Sequence, residues 1–424
     1  MEQMTPMALM LLTIARAFLL VCEITLAIPL LYLVTLALGA TIASLRKTSA
    51  SHKPVSSQAA LVTRFAILVP AHNEELLIGN TLASLAQLDY PADAYAVHII
   101  ADNCTDRTAE IAHAAGAYVH ERTDTTKRGK GHALAWAIDR LMQGQTHYDA
   151  YIILDSDTVV APSLLRAFAQ GIACGGKALQ AHNAVLNATE SATTALRWLA
   201  LSLMNYVRPL GRNSLGGSST LTGNGMCLTH ELLLRHPWRA FGLSEDYQYY
   251  LTLVADGERV LFVPAANVRS VMPTTARQLQ SQDIRWETLN PDASSWQRHM
   301  AWHLFVDGIR KRNWVRLDAL AELLTPPLSV LAGGCALLLV AALALTAPLQ
   351  LLLAALLAGA LLMYVCSAFA LLRPPLGVYR ALLHAPAYIV RKLWIYFVLR
   401  RLRKHTNAWV RTARTASASG ENQP

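Results

Sequence analysis

The sequence predicts an α/β protein: a mostly parallel sheet with helices on both faces, joined to about three transmembrane α-helices and amphipathic interface helices. Three observations predict it. Of 424 residues, 53% are hydrophobic and only 15% charged, against roughly 25% charged in soluble domains. Three stretches are apolar for long enough to cross a bilayer, which takes about 20 residues. Between them, short β-branched runs alternate with helical periodicity, the pattern of a parallel sheet with crossover helices.

The first span is Ile24 to Leu45, 22 residues without a charge, preceded by the weaker apolar run Met7–Val21 that contains Arg16. No basic segment precedes it, as a cleaved leader would need, so it reads as an uncleaved anchor. Arg16 and Glu23, seven apart, share a helix face and are placed to pair. Leu323–Leu372 holds 50 residues without a charge. As one helix it would reach roughly 75 Å, far beyond a bilayer core, so it reads as two helices broken at Pro348.

Charge orients these spans. Arg46, Lys47, Lys53 and Arg64 follow the first, and ten basic residues without an acid lie between Arg373 and Arg414 after the third. Both flanks are therefore cytoplasmic and the N-terminus outside, giving a multi-pass protein of the plasma (inner) membrane. The chain nets +9, all of it in the tail after Leu372, because residues 1–372 hold 27 charges of each sign. A neutral body with one basic tail does not fit a general nucleic-acid binder. It fits an anionic membrane surface. The six cysteines lie far apart with no Cys-x-x-Cys, which argues for buried thiols over a disulfide framework or structural zinc.

Strands are predicted at Phe65–Pro70, Ala96–Ala101 and Tyr151–Leu154, with helices from about Glu75 and Arg107. Ligands of such sheets bind at the carboxyl ends of strands, and acids stand there. The first strand runs into His72-Asn73-Glu74, the second ends at Asp102, and a later one ends Asp155-Ser156-Asp157. Alone, Asp-x-Asp is a surface turn. With its neighbours it offers two hard oxygen ligands for Mg²⁺ or Mn²⁺, a bound diphosphate completing the shell.

Lys127-Arg128-Gly129-Lys130-Gly131-His132 opens a helix over Ala133–Leu141. It is either a basic surface helix start or a phosphate cradle at a positive helix end; P-loop and dinucleotide spacings are absent. Thr222-Gly223-Asn224-Gly225 is a turn or a place of close ligand approach. Ser244-Glu245-Asp246 presents two adjacent acids with Ser244 as N-cap. Gln282, Arg285 and Trp286 share one helix face, suited to stacking a sugar and clamping a phosphate, or to packing at the membrane. Trp296–Trp314 sets Trp296, Trp302, Phe305 and Ile309 against Arg298, Arg310, Lys311 and Arg312, the pattern of an interfacial helix. Arg391–Trp409 is similar, and the last ten residues are expected to be disordered.

In combination these residues resemble the membrane-integrated family 2 glycosyltransferases with a GT-A catalytic domain, among them cellulose, chitin and hyaluronan synthases and bacterial exopolysaccharide enzymes. The ordered landmarks are Asn73-Glu74, Asp102, Gly129-Lys130, Asp155-x-Asp157, Glu245-Asp246 and Gln282-x-x-Arg285-Trp286, across roughly residues 64–290. The resemblance implies inverting, metal-dependent sugar transfer from a nucleotide-sugar, UDP by default, to a saccharide acceptor at the cytoplasmic membrane face. Glu74 and Asp102 would contact base and ribose, Lys130 the diphosphate, Asp155 the sugar and nucleotide, and Asp157 the Mg²⁺ or Mn²⁺ together with Asp155. Asp246 would be the general base, with Glu245 beside it at the acceptor and diphosphate. Gln282, Arg285 and Trp286 would hold diphosphate and acceptor, and Gly223, Asn224 and Gly225 would border the acceptor. His72, Asn103 and Ser244 depart from the pattern.

The implied division is an anchor at 1–46, a GT-A domain at 47–290, interface helices at 291–322, two transmembrane helices at 323–372 and a basic segment at 373–424. Three spans are few for a polymer channel, so a long polysaccharide would require a homo-oligomer. The alternative is single transfer to a polyprenyl phosphate or glycolipid. A non-catalytic membrane scaffold is a third reading, set against the retention of every expected acid.

Overall fold

The computed structural model describes residues 6–49, 62–242, 244–274 and 291–395. Eight strands form one sheet: β1 Phe65–Ala71, β2 Tyr95–Asp102, β3 Tyr118–Arg122, β4 Ala150–Ile153, β5 Thr158–Val160, β6 Ala178–Val185, β7 Met226–Thr229 and β8 Val260–Ser270. Their order is β3-β2-β1-β4-β7-β6-β8-β5. Four neighbour pairs are parallel and three antiparallel, the latter at β4–β7, β7–β6 and β8–β5. The mostly parallel α/β class is as the sequence predicts, with antiparallel pairing where the chain returns through β7.

Strand β1 shows why both faces are covered. Phe65, Ile67 and Val69 enter one core with helices α2 (Ile78–Leu85), α3 (Thr108–Ala114) and α5 (Leu164–Ala173). Ala66 and Leu68 enter another with α4 (Lys130–Met142), α8 (His230–Arg235) and α9 (Glu245–Ala255). Alternation at period two with apolar residues on both sides is the signature of a doubly covered strand.

Helix α1 runs from Pro6 to Ser49, 44 residues. Its Leu30, Leu33, Ala37 and Ala40 are buried against α6 (Ala192–Ser202) and α7 (Arg208–Ser214), which a π turn at Leu203–Val207 joins. Gly211 makes this packing close: a Cβ there would run into the backbone of Leu36. Helix α10 spans Pro291–Arg310, α11 Trp314–Leu324, α12 Leu328–Ala344 and α13 Pro348–Leu372. The break at residues 345–347, with Pro348 in the first turn of α13, lies where the sequence predicts it.

Two described helices, Leu9–Arg46 and Pro348–Leu372, are long and apolar enough to cross a membrane, each with mean hydropathy 2.3. A third span exists if α11 and α12, bent by 67°, count as one.

Two expectations need correction. Arg16 does not pair with Glu23. Its Nη2 donates to the carbonyls of Leu345 and Thr346, 3.1 and 3.2 Å away, at the end of α12, where terminal carbonyls lack intrahelical donors. Glu23 is 2% exposed, and its carboxylate finds no hydrogen-bond partner among the described residues. On α10, Trp296 packs towards the core with Met300 and Leu304, while Trp302, Phe305 and Ile309 stay exposed. The helix has two apolar faces, and Trp296 belongs to the inner one.

Candidate active site

The site is built from the carboxyl ends of β1, β2 and β4. Asn73 and Asn103, just past β1 and β2, adopt left-handed conformations with φ of 56° and 53°, which short polar side chains tolerate. Asn73 Oδ1 accepts from the Thr105 amide at 2.7 Å, and the Glu74 amide donates to Thr108 Oγ1 at 2.8 Å. His72 Nδ1 donates to the Asp102 carbonyl at 2.7 Å. These bonds lock the two strand ends together and place Glu74 and Asp102 at one edge.

Asp102 is buried, and its carboxylate is held by the guanidinium of Arg122 at the end of β3. Arg122 also donates to Asp124 Oδ2 at 2.9 Å and to the Lys127 carbonyl at 2.8 Å. Asp124 Oδ1 accepts from the amides of Thr126 and Lys127, both at 2.9 Å. Those bonds, the Lys127 amide foremost, hold its carboxyl down at about 2. Arg122 and Asp124 thus shape the turn that delivers Lys130. Sequence reasoning missed both; the only trace was a charged strand end followed by Asp-x-Thr, an Asx-turn pattern.

Helix α4 begins at Lys130, earlier than predicted, after Gly129 at φ 112°. Lys130 Nζ lies 2.6 Å from Asp155 Oδ1, 2.6 Å from the Gly223 carbonyl and 3.9 Å from Glu245 Oε1. Gly223 is at φ 76°, and a Cβ there would sit 2.9 Å from Asp246 Oδ2. Lys130, Asp155, Glu245, Asp246 and Gly223 therefore form one cluster.

Three carboxylates face one ammonium there. Burial and the neighbouring Asp246 push Glu245 up to about 7, while Lys130 opposes the shift. Burial also raises Asp246, again against Lys130. Burial works against the charge on Lys130, but Asp155 and Glu245 hold it above its usual range. Such a cluster stores unsatisfied negative charge, ready for a proton or a cation.

Asn224 has a different part from the acceptor contact expected of it. It is 1% exposed. Its Oδ1 accepts from the Asp155 amide at 3.2 Å and Thr158 Oγ1 at 3.1 Å, and its Nδ2 donates to Ser270 Oγ at 3.0 Å. It clamps β4, β5 and β8 behind the cluster. Gly225 donates to the Ile153 carbonyl at 2.9 Å and lies behind the cluster too. Of the three loop residues, Gly223 borders it. Ser244 occupies the N-cap of α9 but makes no side-chain cap bond.

Asp157 turns towards α2, where it lines a cavity with Leu77, Asn80, Ser84 and Val159. Among the described residues no group of three metal-ligating side chains converges. Asp155 and Asp157, two hard-oxygen groups at one strand end, fit a divalent cation only as a partial shell, the remainder coming from diphosphate oxygens and water. Gln282, Arg285 and Trp286 lie outside the described residues.

Residues 63–288, just over half of the chain, match the family model described as glycosyltransferase like family 2. The chain belongs to glycosyltransferase family 2. It is similar to the beta-monoglucosyldiacylglycerol synthase of Nostoc sp., 32% identical over 231 residues, covering 52% of this chain and 47% of that protein. It is also similar to the probable glycosyltransferase YdaM of Bacillus subtilis, 25% identical over 236 residues, covering 53% and 54%. The match thus spans about half the length of these curated relatives. A solved structure, the mannosyltransferase PcManGT from Pyrobaculum calidifontis in complex with GDP-Man and Mn²⁺, aligns over 89% of this chain and 98% of its own, at 17% identity and a TM-score of 0.47.

Proposed function

We propose that the protein transfers a sugar from a nucleotide-sugar, most simply a UDP-sugar, to a hydroxyl of a lipid acceptor at the cytoplasmic face of the plasma membrane, inverting the anomeric carbon. The observation that carries this is the cluster itself: Lys130 bonded to Asp155 2.6 Å away, opposite two acids whose proton affinity is raised. That is the arrangement a general base and a leaving diphosphate together require.

Asp246 takes the proton of the acceptor hydroxyl as its oxygen bonds to the anomeric carbon and the bond to the diphosphate breaks. Lys130 offsets charge on the departing diphosphate. Asp102, oriented by Arg122, and Glu74 hold the nucleoside over the ends of β1 and β2. Asp155 and Asp157 would hold a Mg²⁺ or Mn²⁺, which supplies further positive charge to the diphosphate when bound. One displacement with no second nucleophile inverts configuration. Gln282, Arg285 and Trp286 are assigned to diphosphate and acceptor on sequence alone.

The lipid acceptor is supported by the relatives named beta-monoglucosyldiacylglycerol synthases and by the candidate spans flanking the matched segment. The basic flanks support a cytoplasmic placement. Extension of a saccharide is the second reading, favoured by Gln282-x-x-Arg285-Trp286.

The test incubates the full chain in detergent with a panel of UDP- and GDP-sugars, with and without Mn²⁺, and with diacylglycerol, polyprenyl phosphate or oligosaccharide. Released nucleotide and the size and anomeric configuration of the product are measured. Metal-stimulated release with one lipid glycoside is expected. A polymer product shifts the acceptor to the second reading. No release with any donor, or Asp246→Asn within about threefold of wild type, overturns the assignment.

A further inference from the structure

Behind the acidic pair, a polar network crosses from the membrane helices to the catalytic cluster. Arg212 of α7 bonds Asp318 of α11 through Nε at 2.9 Å and Nη2 at 2.8 Å, with side-chain exposures of 1% and 2%. Each partner reaches further. Asp318 Oδ1 accepts from the hydroxyl of Tyr32, on α1, at 2.9 Å. Asp318 Oδ2 accepts from the Ser218 amide at 3.3 Å, and Gly217 packs so tightly that a Cβ would strike this carboxylate. Arg212 Nη2 also donates to the hydroxyl of Tyr250 at 2.7 Å. One turn before Tyr250 on α9 stands Asp246, and five residues after Ser218 stands Gly223, whose carbonyl accepts from Lys130. A second pair runs alongside: Arg208 bonds Glu322 at 3.0 Å and the Tyr364 hydroxyl, on α13, at 2.8 Å.

We propose that the Arg212–Asp318 pair, bonded to Tyr32 at one end and Tyr250 at the other, is a positioning link through which the membrane helices set the placement of Glu245, Asp246 and the Gly223 loop. Physical reasoning supports positioning over stability. Apolar residues of similar volume often serve as well as a buried ion pair for stability, while two guanidinium nitrogens on Asp318 Oδ2, with Oδ1 held by Tyr32, fix direction and register far better than apolar packing. The pair also gathers α1, α7, α9, α11 and the turn at Ser218 onto one buried point. Tyr32 belongs to a candidate span, and α11 leads into α12 through the 67° bend. The groups facing the acidic pair are Lys130 and Asp155; the one facing the ion pair, besides the tyrosines, is Glu322, itself bonded to Arg208. The inference rests on the reading of Asp246 as general base.

Tyr32→Phe and Tyr250→Phe each delete one hydroxyl and leave the ion pair intact, so both should fold. Hydrogen exchange of the full-length chain in detergent is read by mass spectrometry. In both variants, amides of residues 218–225 and 245–250 should exchange about tenfold faster, while β1 and β2 stay at wild-type rates. Turnover of the UDP- or GDP-sugar that the wild type uses should show its acid limb displaced upward by about half a pH unit, because a looser α9 feels Lys130 less. A merely structural tyrosine would lower the melting temperature without moving that limb. Exchange changes confined to α1 and α11, or a wild-type limb in both variants, overturn the link. Asp246→Asn is run in parallel: if it stays active the base assignment fails, and the exchange result still decides the link.

Discussion

The ammonium of Lys130 stands 2.6 Å from the Asp155 carboxylate and 2.6 Å from the Gly223 carbonyl, so one cation ties the end of β4 to the loop before β7. It is also the positive charge that restrains the rise in proton affinity of Glu245 and Asp246.

Turnover should therefore climb with pH through a midpoint near 7, the value to which Glu245 is pushed as a member of the pair. The sign follows from the base: as pH falls the pair takes up protons, and an Asp246 already protonated cannot accept the acceptor's. Lys130→Met should move the midpoint upward and lower kcat/KM by about 100-fold or more. A pH–rate profile of both proteins checks it. Stability runs the other way. Carboxyls raised in the folded state cost stability as pH rises from the ordinary 4.5 of Glu245 to about 7.

Gly223→Ala should reduce kcat about 10- to 100-fold while leaving the fold intact. Its φ of 76° disfavours any side chain, and the new Cβ would press on Asp246 Oδ2 from 2.9 Å. Steady-state kinetics beside a melting curve separates the two effects.

Arg122→Met should destabilise by about 3 kcal/mol or more, because it strands the Asp102 carboxylate in a buried site. Donor binding should weaken with it, since the turn from Asp124 to Lys127 loses its anchor. Thermal unfolding and nucleotide calorimetry read the two.

Gly211→Val should lower the melting temperature in detergent sharply, since a side chain there meets the backbone of Leu36. Gly79→Ala in α2, where a Cβ meets nothing within 4 Å, should instead be neutral or stabilising by up to about 1 kcal/mol.

The parts legible in the sequence were those with a local pattern. Asp102 and Asp155 were visible as acids ending β-branched runs, Lys130 as a glycine-flanked cation, and the division of Leu323–Leu372 through Pro348. What has no local pattern depends on partners far along the chain. Arg212 and Asp318 are 106 residues apart, and neither sits in a motif. Asn224 stands in a glycine-rich loop that looks like a ligand contact, yet burial turns its amide into an internal clamp. An apolar helical period marks a face without saying what covers it, so the pattern alone groups Trp296 with the exposed side of α10.

Were helix α1 only an anchor, it could be cut away without harm to the rest. Here Leu30, Leu33 and Ala37 are walls of the same core that holds Leu199, Leu203 and Val207. A chain shortened to begin at Val62 would expose a greasy trough and lose the Tyr32 hydroxyl from Asp318. The tether is also a rib of the body it tethers, and cutting it would injure the enzyme's interior.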